Sequence, residues 1–211
     1  EAADRAFRAW SRTPATNRAQ ILQNAASLLE QRAGTFHYLA VKEAGKTWND
    51  AVAEVREAVD FCRYYAARAM DAGFSDRQAL GVTVCISPWN FPLAIFLGQI
   101  TAPLAAGNTV VAKPAEQTPL IAAEAIQLLH DAGIDPAAVN LVPGEGGIVG
   151  EALISHPKTA AVCFTGSTAT AKHIAKRLAE LGRSLTPLIA ETGGINAMVV
   201  DSSALLEQTV D

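Results

Sequence analysis

The sequence predicts an α/β protein: N-terminal helices followed by a Rossmann-like parallel sheet with helices on both faces. Three observations predict this. Half of the 211 residues are hydrophobic and 18% are charged, enough apolar material for a core and too little charge for disorder. Within residues 1–70, apolar positions recur at helical spacing. From Gly81 onward, short β-branched runs alternate with helical stretches, the pattern of parallel strands joined by crossover helices. At about 150 residues per domain, the length suits one large domain or one domain with an appendage. The expected division is a helical segment over 1–75 and a Rossmann-like, cofactor-binding part over 76–211.

In Thr16 to Arg32, the set Ile21, Leu22, Ala25, Leu28, Leu29 falls on one face of a 3.6-residue period, with Thr16 as the expected N-cap and Gly34 as the stop. A longer helix is expected from about Trp48 to Met70. Its core stripe is Val52, Val55, Val59, Cys62 and Ala66, with Arg and Glu on the other face. Strands are then expected in GVTVCI, NTVVAK, VNLV, AAVCFTG, LIAE and NAMVVD. Helices are expected in FPLAIFLGQITAPLAAG, TPLIAAEAIQLLHDAG, EALIS and STATAKHIAKRLAELG, with Gly107, Gly133 and Gly182 closing three of them. The closing stretch SSALLEQTVD begins another amphipathic helix, so the sequence reads as cut off rather than finished.

Composition excludes several classes. Seventeen Lys+Arg against 21 Asp+Glu give a formal charge of −4, so no basic excess exists to neutralise nucleic-acid phosphates. No 18-residue apolar window predicts a membrane span, and EAADRAFRAW has no signal-peptide core. Cys62, Cys85 and Cys163 are odd in number and far apart. They form neither a disulfide framework nor a metal-ligand pattern, and they fit a reducing cytoplasm.

In open α/β sheets, ligands gather beyond the carboxyl ends of the strands. The residues leaving each expected strand are SPWN, KPAEQ, PGEGG, FTGS and ETGG, a set suited to a charged nucleotide and a reacting carbonyl. Gly144, Gly146 and Gly150 form a GxGxxxG variant at a helix start, where a nucleotide backbone could approach closely; a tight turn with a helix cap explains it equally. Gly166 and Ser167 open the next helix and could meet a phosphate, or Ser167 could be an N-cap alone. Lys113 and Glu116 could bond ribose hydroxyls, the carboxylate repelling a 2′-phosphate, or form a solvated surface pair. Asn90, held between Pro88 and Pro92, could donate to an oxyanion or cap the following helix. Glu191 leaves an apolar strand, where partial burial would raise its pKa toward that of a general base; a structural hydrogen bond to a helix end is the rival.

Taken in order, SPWNFP, KPAEQTP, PGxGxxxG, FTGS and ETGG closely resemble the aldehyde dehydrogenase superfamily, over essentially the whole length. FCRYYAARAM, SPWNFPLAIFLGQ and AETGGINAMVVD, with Thr192 where most of the superfamily has Leu, resemble the L-glutamate γ-semialdehyde (Δ1-pyrroline-5-carboxylate) dehydrogenases that form the second half of bifunctional proline utilization A enzymes. The short link from Met70 to Gly81, where tetrameric relatives carry a longer oligomerisation hairpin, points the same way.

The resemblance implies NAD-dependent oxidation of an aldehyde to a carboxylate through a cysteine thioester. It implies Asn90 as oxyanion donor and Glu191 as activator of the hydrolytic water. For the cofactor it implies Lys113 and Glu116 at the adenosine ribose, Gly146 and Gly150 flanking the adenine side, and Gly166 and Ser167 at the pyrophosphate. Ile86, Trp89 and Phe164 would line the cleft. Glu116 favours NAD over NADP; FAD is implied only if a proline dehydrogenase domain precedes this segment. The implied partners are a small aldehyde and the remainder of the same polypeptide, with a homo-oligomer of the chain as a further option. The family nucleophile falls past Asp211, so the catalytic domain is expected to lie outside the chain and the isolated chain to be inactive. The alternatives are another semialdehyde substrate or a non-catalytic NAD-binding fragment.

Overall fold

The structure, a computed structural model, describes residues 1–71 and 77–210. Four helices come first: α1 (Ala2–Trp10), α2 (Ala15–Gln31), α3 (Ala33–Ala44) and α4 (Trp48–Ala69). Strands and helices then alternate: β1 (Val82–Ile86), α5 (Ala94–Ala105), β2 (Thr109–Lys113), α6 (Pro119–Asp131) and β3 (Val139–Leu141). A π-helical turn (Gly146–Gly150) runs into α7 (Glu151–Ser155), followed by β4 (Thr159–Gly166), α8 (Thr168–Glu180), β5 (Leu188–Thr192) and α9 (Leu206–Val210). The link from Met70 to Gly81 lies partly outside the described residues, at 72–76.

The five strands are all parallel, in the order β3-β2-β1-β4-β5. The chain builds outward from β1 to β3, then crosses back to place β4 on the other side of β1. This reversal is the switch point at which open α/β sheets leave a crevice. Val82, Thr83, Val84 and Cys85 of β1 are all buried, because helices cover both faces and a continuous apolar run is then required. One face carries the larger core, in which Leu22, Leu29, Val55 and Val59 meet Leu97, Ile100, Val110 and Leu129. The N-terminal helices therefore share a core with the sheet. On the other face, Val84, Val162 and Phe164 pack against Ile154, Ala171, Ile174 and Leu178 of α7 and α8. Gly98 lets α5 lie close on α4, since a Cβ there would meet the Phe61 ring at 3.0 Å.

The expected glycine stops hold: Gly107, Gly133 and Gly182, with φ of 84°, 112° and 69°, follow α5, α6 and α8. Other expectations need correction. Thr16 is not an N-cap; α2 starts at Ala15 behind Pro14, and the Thr16 hydroxyl turns to Asn17 Oδ1. Gly34 is not a stop but lies in the first turn of α3, because the chain breaks at Arg32, the C-cap of α2. Val52 is exposed, and the inward face of α4 is instead Ala51, Val55, Ala58, Val59, Cys62, Ala66 and Ala69. NAMVVD forms no strand; Ile195, Met198 and Val199 are exposed, and among the described residues no strand lies beyond the edge strand β5 to pair with it.

The acidic residues of α4 do not all face water. Glu54 is only 1% exposed. Its Oε2 accepts from the backbone N–H groups of Leu93 (3.1 Å) and Ala94 (2.9 Å), at the start of α5. Its Oε1 lies 3.1 Å from Lys46 Nζ as an ion pair without a directed hydrogen bond, and Lys46 Nζ sits 4.1 Å above the Phe91 ring. A carboxylate at a helix N-terminus is favoured by the orphan N–H groups and the dipole. Removing one partner of a buried pair leaves an uncompensated charge, so Glu54→Ala should cost about 3–5 kcal/mol in urea unfolding. Glu54→Gln, which keeps an acceptor but unpairs Lys46, should fall between; a loss below about 1 kcal/mol for Glu54→Ala would make the pair incidental.

Candidate cofactor and catalytic site

The strand exits of SPWN, KPAEQ, PGEGG, FTGS and ETGG all reach the carboxyl edge of the sheet, where they bound two adjoining cavities. The first, of about 730 Å³, is lined by Ile86, Lys113, Gly146, Gly147, Gly150 and Thr170, with Glu151 and His173. The second, of about 740 Å³, is lined by Trp89, Asn90, Phe164, Gly166, Ser167 and Glu191, among others, and again by Thr170. Of the eleven residues that the resemblance assigns to the site, ten therefore line one cavity or the other. Glu116 lines neither; it stands beside the first, its Oε1 accepting from Gly146 N–H at 2.5 Å.

Lys113 and Glu116 do not form a solvated surface pair. Lys113 ends β2, is 3% exposed, and donates from Nζ to the Pro114 carbonyl at 3.0 Å. Burial lowers its pKa, with the Glu116 carboxylate acting in the opposite sense. The glycine turn lies in ordinary contact range of the pair: a Cβ on Gly146 would stand 3.5 Å from Glu116 Oε1, and one on Gly150 4.0 Å from Lys113 Cδ. Gly144 must be glycine, with φ 144° and Val149 Cγ2 only 2.6 Å from the place of a Cβ.

Ser167 is the N-cap of α8, its Oγ accepting from Thr170 N–H at 3.2 Å. Gly166 precedes it under the Phe164 ring, 2.7 Å from where a Cβ would be; Phe164 is itself buried. Asn90 does not cap α5, because Glu54 already occupies that helix end. Its side chain is exposed at the second cavity, as is that of Trp89.

Glu191 corrects one expectation: it is exposed rather than partly buried. The reason is its strand. β5 is the sheet edge, pairing only with β4, and Ile189, Ala190, Glu191 and Thr192 are all open to solvent. The three cysteines are buried and free. Burial pushes the Cys62 thiol up to about 12 and raises Cys85 well above its usual range; a hydrogen bond with Cys85 lowers Cys163, but its burial in the core keeps it, like the other two, from reaching a substrate.

Sequence reasoning missed four residues here. Thr170 borders both cavities. Glu151 and His173 line the first, with His173 Nε2 3.1 Å from Glu151 Oε2 and Arg177 Nε 2.5 Å from Oε1; the His173 hydrogen bond foremost, with help from Ser155 and Arg177, lowers the Glu151 pKa. Gln99 of α5 reaches the ends of β1 and β4. The spacing of Thr170, three residues after the capping Ser167, was the one available signal. Among the described residues, no cluster of three His, Cys, Asp or Glu could hold a metal ion, and no helix is long and apolar enough to cross a membrane.

The profile of the aldehyde dehydrogenase family matches residues 1–211. The chain belongs to the aldehyde dehydrogenase family. It is 56% identical over 206 residues to the bifunctional protein PutA of Klebsiella aerogenes, covering 95% of this chain and 16% of that protein. A crystal structure of a mutant Bradyrhizobium japonicum proline utilization A superposes with a TM-score of 0.95 at 55% identity, over 99% of this chain and 23% of that one. The 1-pyrroline-5-carboxylate dehydrogenase from Thermus, solved with bound NAD, gives a TM-score of 0.85 at 37% identity, over 91% of this chain and 40% of that one. The chain thus spans about one sixth of the length of its PutA relatives.

The buried lysine of this aldehyde dehydrogenase fold makes a stability prediction. Its folded-state pKa is depressed, so its charge opposes folding at neutral pH, and that penalty is relieved as pH rises through the folded and then the unfolded pKa. Lys113→Met should therefore raise Tm at pH 7, by a stabilisation of about 1–2 kcal/mol, and the gain should shrink in alkaline buffer. Calorimetry across pH checks this; a lower Tm at pH 7 would mean that the Pro114 bond outweighs the cost of burial.

Proposed function

We propose that this chain supplies the cofactor-binding part of an NAD-dependent aldehyde dehydrogenase, which oxidises L-glutamate γ-semialdehyde to L-glutamate in cytoplasmic proline catabolism and is completed by further protein. One observation carries the reading: the predicted residues converge on two cavities that share Thr170, a buried amine in one and Asn90 with Glu191 in the other. Kinship with PutA and with 1-pyrroline-5-carboxylate dehydrogenase supports the substrate.

The residues fit NAD. Two adjoining cavities of about 730 and 740 Å³ suit the two halves of a dinucleotide. Lys113 Nζ has spare donors beyond the Pro114 carbonyl, and with Glu116 it would hold the adenosine ribose. Gly146 and Gly150 would back the adenine side. The N-terminus of α8, with Gly166 and Ser167, would take the pyrophosphate, and Ile86, Trp89 and Phe164 would line the path. Residues 1–75 brace this part and 76–211 form it. FAD belongs to a proline dehydrogenase domain, and no residue here is assigned to it.

Bound NAD supplies the hydride acceptor. The chain's own work is then local. Asn90 donates its amide N–H to the oxygen on which negative charge develops when a thiolate adds to the aldehyde. Glu191 takes a proton from the water that hydrolyses the thioester. The attacking thiolate comes from outside these residues, since Cys62, Cys85 and Cys163 are buried in the core.

Two measurements on the full-length polypeptide carrying this sequence test the reading. With Glu191→Gln, the water loses its base while size and one acceptor are kept. Rapid mixing should show a burst of about one NADH per active site before a slow steady state; ordinary turnover without a burst would make Glu191 structural. Wild type should prefer NAD over NADP in kcat/KM, and Glu116→Gln should narrow the preference by removing a charge that repels a 2′-phosphate. An unchanged ratio would mean that Glu116 does not face the ribose.

A further inference from the structure

The cofactor crevice opens where β1 and β4 part, and a side chain from α5 stands at that fork. The β1–β4 register ends at the pair Ile86 and Phe164. Beyond it β1 leans toward β2, with Ser87 N–H donating to Lys113 O at 3.2 Å. β4 instead continues with β5, pairing Thr165 with Glu191 and Gly166 with Thr192. If the parallel ladder went one step further, Thr165 N–H would be the donor next to Ile86 C=O.

The Gln99 carboxamide occupies that gap. Oriented to satisfy both ends, its nitrogen donates to Ile86 O at 3.2 Å, and its oxygen accepts from Thr165 N–H at 3.0 Å and Thr165 Oγ1 at 2.7 Å. A side-chain amide thus satisfies both strand ends while holding them further apart than a ladder bond would. Its base is fixed, because Cys85 Sγ donates to the Gln99 carbonyl at 3.2 Å and Glu54 pins the start of the same helix. Ile86 lines the first cavity and Thr165 the second, so the wedge lies at the base of the passage between them.

We propose that Gln99 is a positioning residue, whose carboxamide sets the opening of the β1–β4 fork to the width a dinucleotide needs. The inference rests on the NAD reading above. A residue that merely filled space would be replaced by methionine, of similar length, with little effect on ligand affinity. Without the amide, the two backbone groups either close toward each other or stay unsatisfied, and either outcome misplaces the walls of the passage.

The test is titration of NAD, followed by tryptophan fluorescence, into wild-type full-length polypeptide and its Gln99→Met and Gln99→Glu variants, with Tm measured alongside. Gln99→Met loses both ties and should raise the Kd for NAD roughly tenfold, the scale of losing one to two buried hydrogen bonds. Gln99→Glu still accepts from Thr165 but cannot donate to Ile86 O, and should lie between; it carries the test if the methionine variant fails to fold. In steady state the KM for NAD should rise by more than kcat falls. Unchanged NAD affinity in a folded variant, whatever its Tm, overturns the positioning role and leaves the NAD site standing. Absence of NAD binding by wild type overturns the site, and this inference with it.

Discussion

The carboxylate of Glu54 is where the helical segment takes hold of the sheet. It lies in the second turn of α4, yet it accepts from two N–H groups at the start of α5 and faces Lys46. That helix end follows directly on SPWNFP, the loop carrying Trp89 and Asn90. The contact fixes where the loop ends, and with Lys46 over Phe91 it also fixes where the loop lies. A charge almost fully out of water is tolerated only when its lone pairs are used. Here two backbone donors and an ammonium use them. The four N-terminal helices are thus more than a cover for one sheet face: they set the position of a loop at the opposite end of the crossover.

The same helix works at both of its flanks. Its first turn is capped by Glu54, and its middle sends Gln99 to the ends of β1 and β4. Gly98, beside Gln99, is the point of closest approach to Phe61 of α4. The packed unit of α4, α5 and the central strands therefore holds the switch-point crevice by its base. The glycine turn at Gly144–Gly150 and the cap of α8 then furnish the walls. Thr170, at the meeting of the two cavities, joins what would otherwise be separate hollows.

Much of this was legible in the sequence, and the reasons are physical. Parallel strands buried on both faces need unbroken β-branched runs, and VTVCI and TVVAK are such runs. A helix that ends in a left-handed residue asks for glycine, and Gly107, Gly133 and Gly182 answer it. The site residues were found because strand exits in this fold class converge on one edge. What was missed depends on partners far along the chain. Glu54 looked like one more charge on a wet helix face, because nothing local reveals a helix end arriving from residue 93. Gly34 looked like a stop, although Arg32 makes the break. NAMVVD has strand composition but no neighbouring strand to pair with among the described residues. Glu191 has the surroundings of a buried strand in sequence and the exposure of an edge strand in space.

That last contrast bears on how the proposed chemistry would be divided. Two of the groups assigned to the cofactor are sheltered, Lys113 and Phe164, whereas Trp89, Glu116 and Ser167 are open to water. The two assigned to bond making, Asn90 and Glu191, are open to water. An amide donor stabilises an oxyanion far better in a site from which water is excluded, since the interaction is screened less. A carboxylate makes a better base near neutral pH when burial raises its pKa. Both effects call for further protein over the second cavity. Glu191, Thr192 and Gly193 line that cavity from the exposed edge strand and the residues just after it. The strength of the proposed catalysis would then be a property of what covers the second cavity as much as of the residues that line it.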